Sequence, residues 1–198
     1  MLPKMIPDPP AEGTAPGIPQ AAVLAGGCFW CVEAVYRQLR GVQNVISGYA
    51  GGTAHTANYR DVCTGRTGHA EAVKIIFDAK SLSFGQILKV FFTVAHDPTE
   101  LNRQGNDVGS EYRSAIFYAD EHQRAVAVAY IEILNTSHIF HEAIVTTLEP
   151  LGTFYPAEDY HQDFVALNPE QPYIACVALP KVRKLREMFP EMLARGVN

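Results

Sequence analysis

Residues 26 to 31 read Gly26-Gly27-Cys28-Phe29-Trp30-Cys31, a cysteine just past two glycines and beside two large aromatic rings. After it, Val32, Val35, Tyr36 and Leu39 recur at helical spacing, and before it Ala21 to Ala25 reads as a short buried strand. Cys28 is therefore expected at a helix N-terminus. Unpaired backbone N–H groups and the positive end of the macrodipole stabilise a thiolate there, lowering the thiol pKa from about 8.5. Phe29 and Trp30 are placed to wall an apolar pocket beside the sulfur. The Cys28/Cys31 spacing permits thiol–disulfide exchange, in which Cys28 attacks and Cys31 resolves, and it permits a single nucleophile regenerated by another thiol. A zinc site needs four ligands, and the chain offers one cysteine pair with Cys63 and His69 far from it. An inert core cysteine is the remaining reading, since free cysteine packs as a small hydrophobe.

Four polar clusters supply possible helpers. In Asn58-Tyr59-Arg60-Asp61-Val62-Cys63 the phenol of Tyr59 is a donor for a substrate oxygen or a loop cap. In Gly68-His69-Ala70-Glu71-Ala72-Val73 a carboxyl group opens a strand among small apolar neighbours. Burial there would raise its pKa and make Glu71 a general acid, whereas a solvated strand end would leave it ionised. Gln104-Gly105-Asn106-Asp107 and Tyr112-Arg113-Ser114 bring a second acid and a second phenol just before a strand. His161, in Glu158-Asp159-Tyr160-His161-Gln162, reads as a base for proteolytic chemistry or as a surface helix histidine.

The elements that must position these groups follow from periodicity. Val42 to Tyr49 reads as a strand, a polar loop runs to about Gly68, and Ala70 to Asp78 alternates with Val73, Ile75 and Phe77 on one face. Ser83 is an N-cap for a helix bearing Phe84, Ile87, Leu88, Phe91, Phe92 and Ala95, stopped by His96-Asp97-Pro98. Thr99 to Glu111 is too polar and glycine-rich for a regular element. Arg113 to Ala119 reads as a strand, Asp120 with Gln123 as a capping pair, and Ala125 to Leu134 as a helix. Ile144 to Leu148 is a further strand, Ala157 to Leu167 a short helix, and Lys181 to Asn198 a tail with some helical periodicity. This mixture predicts an α+β domain, one sheet with helices packed on it.

A chain of 198 residues suits one domain. The net charge of −5, with no basic cluster, argues against nucleic acid or an anionic membrane as partner. Six of the thirteen prolines fall in residues 1–20, read as a disordered arm outside the core, with the domain over 21–182 and a tail over 183–198. No apolar run is long enough for a membrane span, and four scattered cysteines do not make a disulfide framework. A cytoplasmic monomer is expected.

Taken together with Gly48-Tyr49-Ala50-Gly51-Gly52 and Asn168-Pro169, these motifs closely resemble peptide methionine sulfoxide reductase of the A type, over roughly residues 21–182. The resemblance implies a ferredoxin-like two-layer α+β sandwich. It implies reduction of the S-epimer of methionine sulfoxide, free or in proteins, with thioredoxin as final reductant and no metal or organic cofactor. On matching positions Cys28 is similar to the nucleophile, Phe29 and Trp30 to the methyl pocket, Glu71 to the proton donor, Tyr59 and Tyr112 to donors on the sulfoxide oxygen, and Asp107 to a residue holding the polar network. Cys63 matches a structural position. Many members keep resolving cysteines in a glycine-rich C-terminal tail, whereas this tail has Cys176 alone, in Gln171-Pro172-Tyr173-Ile174-Ala175-Cys176. Cys176 ranks slightly ahead of Cys31 as the resolving thiol, and an external thiol stays open. The alternative is a general thiol–disulfide oxidoreductase using Cys28 and Cys31, and a third reading is a module that binds oxidised methionine without turnover.

Overall fold

Alternation along residues 70–78 is what places the chemistry. In the computed structural model of the chain, which describes residues 6–12, 19–194 and 196, these residues form a strand whose Val73, Ile75 and Phe77 enter the main core, while Ala70 and Ala72 pack on the opposite face. Successive side chains of a strand point to opposite faces, so Glu71 shares the core side with Val73.

In chain order the elements are β1 (Pro19–Gly26), α1 (Phe29–Tyr36), β2 (Val42–Ala50), α2 (Tyr59–Val62), β3 (Ala70–Asp78), α3 (Phe84–Val90), β4 (Arg103–Gln104), β5 (Asp107–Val108), β6 (Ser114–Tyr118), α4 (Glu121–Thr136), β7 (Thr147–Pro150), β8 (Tyr155–Pro156), α5 (Phe164–Leu167) and α6 (Leu179–Met188). The main sheet has the order β7-β6-β1-β3-β2-β8. Its pairings are antiparallel except β6 with β7. β1 is central, with Ala22, Val23, Leu24 and Ala25 all buried. One face packs on α1, α3 and α4 in a cluster that includes Leu24, Val35, Tyr36, Ile87, Phe91 and Tyr130, and the other is a layer of small residues under Leu151 and Phe154. This is a mixed-sheet α+β architecture. Among the described residues no helix is long and apolar enough to cross a membrane.

The expected caps form. Ser83 and Gln86 make a reciprocal capping box on α3, and the Asp120 side chain accepts the Gln123 N–H at 2.8 Å. α3 continues into a π-helical turn, Phe91–Ala95, that delivers the chain to His96.

Several expectations are corrected. The arm does contribute to the core: Ile6 is 5% exposed within the main cluster, the Pro7 carbonyl accepts the Tyr130 hydroxyl, and Glu12 Oε1 accepts the Gly85 N–H. Proline rigidity lowers the entropy cost of laying such a segment down. Residues 1–5 and 13–18 of that arm lie outside the described residues. α6 runs across the boundary expected between 182 and 183, burying Val182, Leu185 and Met188. Leu193 then bridges to Leu39, and residues 195, 197 and 198 of the tail lie outside the described residues. The strand expected at 144–148 is β7, because Thr147, Leu148, Glu149 and Pro150 find partners on β6. The single helix expected over 157–167 is a 3-10 turn at Asp159–His161 and the short α5, parted by a left-handed Asp163. The irregular stretch of residues 99–111 contains the β4–β5 hairpin.

Candidate active site

Cys28 is the N-cap of α1, at φ −52° and ψ 121°, and its carbonyl accepts the N–H groups of Cys31 at 3.1 Å and Val32 at 3.4 Å. Its side chain therefore leaves the helix at the end where backbone donors are free. Gly27, at φ 84°, makes the approach possible: a Cβ there would stand 2.5 Å from the Gln104 side chain, so the β4–β5 hairpin lies directly over the cysteine.

Below the helix start, Glu71 Oε2 accepts the Phe29 N–H at 3.0 Å. The two groups belong together: an N-terminal donor of α1 meets a carboxyl group that β3 turns to the core side. Cys28, Phe29 and Trp30 then line a small cavity of about 110 Å³ with Tyr59, Glu71, Asp107, Tyr112 and Tyr173. Pockets that enclose whole small-molecule ligands span roughly 300–1,000 Å³, so this one accommodates the end of one side chain. Five aromatic rings wall it, and the carboxyl groups of Glu71 and Asp107 stand among them.

Burial decides the protonation states. Glu71 is 2% exposed, and burial pushes its pKa up to about 8 against the lowering effect of the Phe29 N–H, with Asp107 and Glu111 adding to the rise. The solvated strand end considered from sequence is thereby excluded. The Cys28 thiol, expected to be depressed by the helix terminus, is instead pushed well above its ordinary value, first by burial, then by its hydrogen bond with Cys31 and by the Glu71 charge. Desolvation of a dry pocket outweighs the helix terminus before a substrate arrives. Burial likewise raises Tyr59, together with a hydrogen bond to Cys63, and raises Tyr112, so both phenols keep their protons as donors.

On its other side Cys28 meets a wider cleft of about 630 Å³ between the hairpin and α6, which also reaches Cys31, Phe92, His96, Lys181 and Lys184. Cys31 is 1% exposed, and its sulfur lies 3.9 Å from the Tyr173 hydroxyl, which donates to Asp107 Oδ2 at 2.6 Å. Its thiol is lowered, with the hydrogen bond from Cys28 as the largest cause. Cys176 is exposed on the π-helical turn Ile174–Ala178 and lines neither hollow. Cys31 therefore shares the cleft with Cys28, and Cys176 stands outside both hollows.

The chain matches the model of one family, peptide methionine sulfoxide reductase, over residues 20–193. It is 50% identical to peptide methionine sulfoxide reductase MsrA 2 of Synechocystis, across 96% of this chain and 91% of that one, and 52% identical to MsrA of Deinococcus radiodurans, across 92% and 89%. The chain belongs to the peptide methionine sulfoxide reductase family. Among solved structures it resembles Mxr1 of Saccharomyces cerevisiae in its reduced form, with a TM-score of 0.71 and 31% identity over 80% of this chain and 91% of that one. It also resembles methionine sulfoxide reductase A of Corynebacterium diphtheriae, with a TM-score of 0.67 and 34% identity over 79% and 78%. As a methionine sulfoxide reductase, the chain is an oxidoreductase that returns an oxidised methionine to its thioether.

Every residue expected around the sulfur of such a reductase, Phe29, Trp30, Glu71, Tyr59, Tyr112 and Asp107, lines the small cavity with Cys28. Three residues to which the resemblance gave no role also frame the site. Tyr173 was read only as a neighbour of Cys176, yet its ring borders both hollows. His161 is 1% exposed and not on the surface; its Nδ1 accepts the Trp30 indole N–H at 3.2 Å, and burial lowers its pKa. Glu158 takes the Tyr49 hydroxyl at 2.8 Å and the Tyr59 N–H at 2.9 Å, fixing the start of α2. The signal for all three was an acid or aromatic recurring inside a short polar segment, which by itself does not say toward which face it turns.

Proposed function

We propose that the chain reduces the S-epimer of methionine sulfoxide with Cys28 as nucleophile and Glu71 as acid. The observation that carries this reading is the neutral carboxyl group of Glu71, protonated up to about pH 8 and bonded to the first N–H of the helix that Cys28 caps. A sulfoxide oxygen leaves poorly until protonated. As the Cys28 thiolate attacks sulfur, Glu71 gives the oxygen its proton while Tyr59 and Tyr112 donate to the developing charge. The S=O bond is lost, Cys28 becomes a sulfenic acid carrying the oxygen, and methionine leaves. Phe29 and Trp30 enclose the substrate methyl, and their fixed arrangement on α1 favours one epimer. Asp107 orients Tyr173 through the 2.6 Å hydrogen bond.

Cys31 takes the resolving role ahead of Cys176: its thiol condenses with the sulfenic acid, releasing water and forming a Cys28–Cys31 disulfide. The hydrogen bond between the two thiols supports this. Thioredoxin, the reductant that the family implies, then exchanges its dithiol for that disulfide. The scaffold reads as a ferredoxin-like two-layer sandwich, supported by the β6-β1-β3-β2 order with α1 and α3 linking its strands on one face. A cytoplasmic setting accords with four unbridged cysteines.

The test is reduction of a methionine sulfoxide peptide by the purified protein with dithiothreitol. One epimer is consumed and Cys28→Ser is inactive; turnover in that variant, or equal consumption of both epimers, overturns the reading.

A further inference from the structure

The wall of the substrate pocket is held from behind by residues that never reach the pocket. The Trp30 indole lies flat on Phe164, with ring centroids 3.9 Å apart and planes 8° from parallel. Phe164 opens α5, and the residue before it, Asp163, is left-handed at φ 54° and ψ 23°. A residue with a side chain stays in that region only where its surroundings hold it. Here α1 does the holding. Glu33 Oε1 accepts the Asp163 N–H at 3.1 Å, and Arg37 Nε stands 2.8 Å from Asp163 Oδ1. Glu33 is itself 1% exposed and is satisfied by Arg37 at 3.0 Å and by the Ser47 hydroxyl at 3.3 Å. Trp30, Glu33 and Arg37 share one face of the helix, three and then four residues apart. One helix therefore carries both the indole and the clamp on the strained residue that delivers the indole's stacking partner.

We propose that Glu33 and Arg37 are positioning residues for the methyl pocket: by holding Asp163 left-handed they press Phe164 onto Trp30 and set the angle of the indole. The inference rests on the reading of Trp30 as the wall that meets the substrate methyl. A carboxylate buried only to brace the fold would leave the indole where it is when removed. The clamp makes a different demand, because its loss frees Asp163 to relax toward ordinary backbone and carries Phe164 off the ring.

Trp30 is the only tryptophan of the chain, so its fluorescence reports on this contact without interference. Glu33→Gln keeps the side-chain volume and loses the charge. It is expected to shift Trp30 emission to the red and to raise KM for a methionine sulfoxide peptide about tenfold with kcat nearly unchanged, the pattern of lost uniform binding. Phe164→Leu, which leaves Glu33 and Arg37 intact, produces the same two effects, and Phe164→Tyr restores both. Unchanged emission and KM in Phe164→Leu, or in folded Glu33→Gln, overturn the proposal. Trp30→Ala separates it from the reading beneath it: an unchanged KM there overturns Trp30 as the methyl wall.

Discussion

The two hollows that meet at Cys28 share Asp107 and Tyr173, and they differ in what else they bring to the sulfur. The 110 Å³ pocket adds Glu71, Tyr59 and Tyr112 and is closed by Phe29 and Trp30, whereas the 630 Å³ cleft adds Cys31, Lys181 and Lys184 and lies between a surface hairpin and α6. One is sized for a single side-chain end and keeps an acid protonated; the other is a wider cleft lined by both thiols. In the mechanism proposed above, oxygen removal falls to one side of the sulfur and thiol exchange to the other. Cys28 is the one sulfur that both hollows reach.

The largest expected effect therefore comes from Cys28→Ser, which removes activity with any reductant. Next comes the pocket. Glu71→Gln still donates hydrogen bonds but cannot pass a proton, and loss of a general acid costs typically 10²–10⁴-fold. Its pH profile carries the sign. The reactive pair holds a proton on Glu71 and none on Cys28, so it has lost one of its two protons. Activity of the natural chain should rise as the first proton leaves the pair, near pH 8, and fall as the second leaves. In Glu71→Gln the descending limb disappears, and removal of the carboxyl charge moves the Cys28 ionisation downward. A profile unchanged in shape would remove Glu71 from the acid role. On the cleft side the effect is smaller and of another kind: Cys31→Ser should keep the first turnover, measured without reductant, while slowing steady-state turnover with thioredoxin. Mass spectrometry after one turnover should show a Cys28–Cys31 disulfide in the natural chain and in Cys176→Ser. A disulfide from Cys28 to Cys176 would reassign the cleft.

How much of this contrast the sequence discloses depends on range. The strands at 42–50 and 70–78, the capping box at Ser83 and the start of α1 at Cys28 are local, and residue types dictate them. The pocket residues were recoverable because the motifs keep their order along the chain. Burial was not. The helix terminus predicts a lowered Cys28 thiol, yet desolvation depends on Tyr59, Tyr112 and Tyr173, which arrive from distant segments. The same holds for His161, whose partner Trp30 is 131 residues away, and for Ile6, which finds the core across the whole domain. The helix expected over 157–167 breaks where Gln162 is extended and bonds Ser47, and where left-handed Asp163 meets Glu33 and Arg37, partners far off in the chain. Neither cleft nor pocket is written in any one segment.

The smallest effect is on stability, and it sets the two hollows against each other. Glu71 in the pocket is protonated up to about 8 when folded and only to an ordinary value of 4.5 when unfolded. Across that window the folded state binds more protons, so its contribution to stability falls as pH rises. His96 lines the cleft, and its ring nitrogens lie 2.9 Å from the Phe91 carbonyl and 2.6 Å from the Ser114 hydroxyl; burial lowers its pKa to about 3 from 6.5. Between those values the unfolded state binds more protons, so this contribution rises with pH. Below pH 6.5 the two oppose each other, and above it His96 is neutral in both states and only Glu71 still acts. From pH 6.5 to 8 the natural chain should lose up to about 2 kcal/mol that Glu71→Gln does not lose, at 1.36 kcal/mol per pKa unit. Urea unfolding at the two pH values measures the difference. Parallel losses in the two proteins would mean that water reaches Glu71, and the pocket would then be no drier than the cleft.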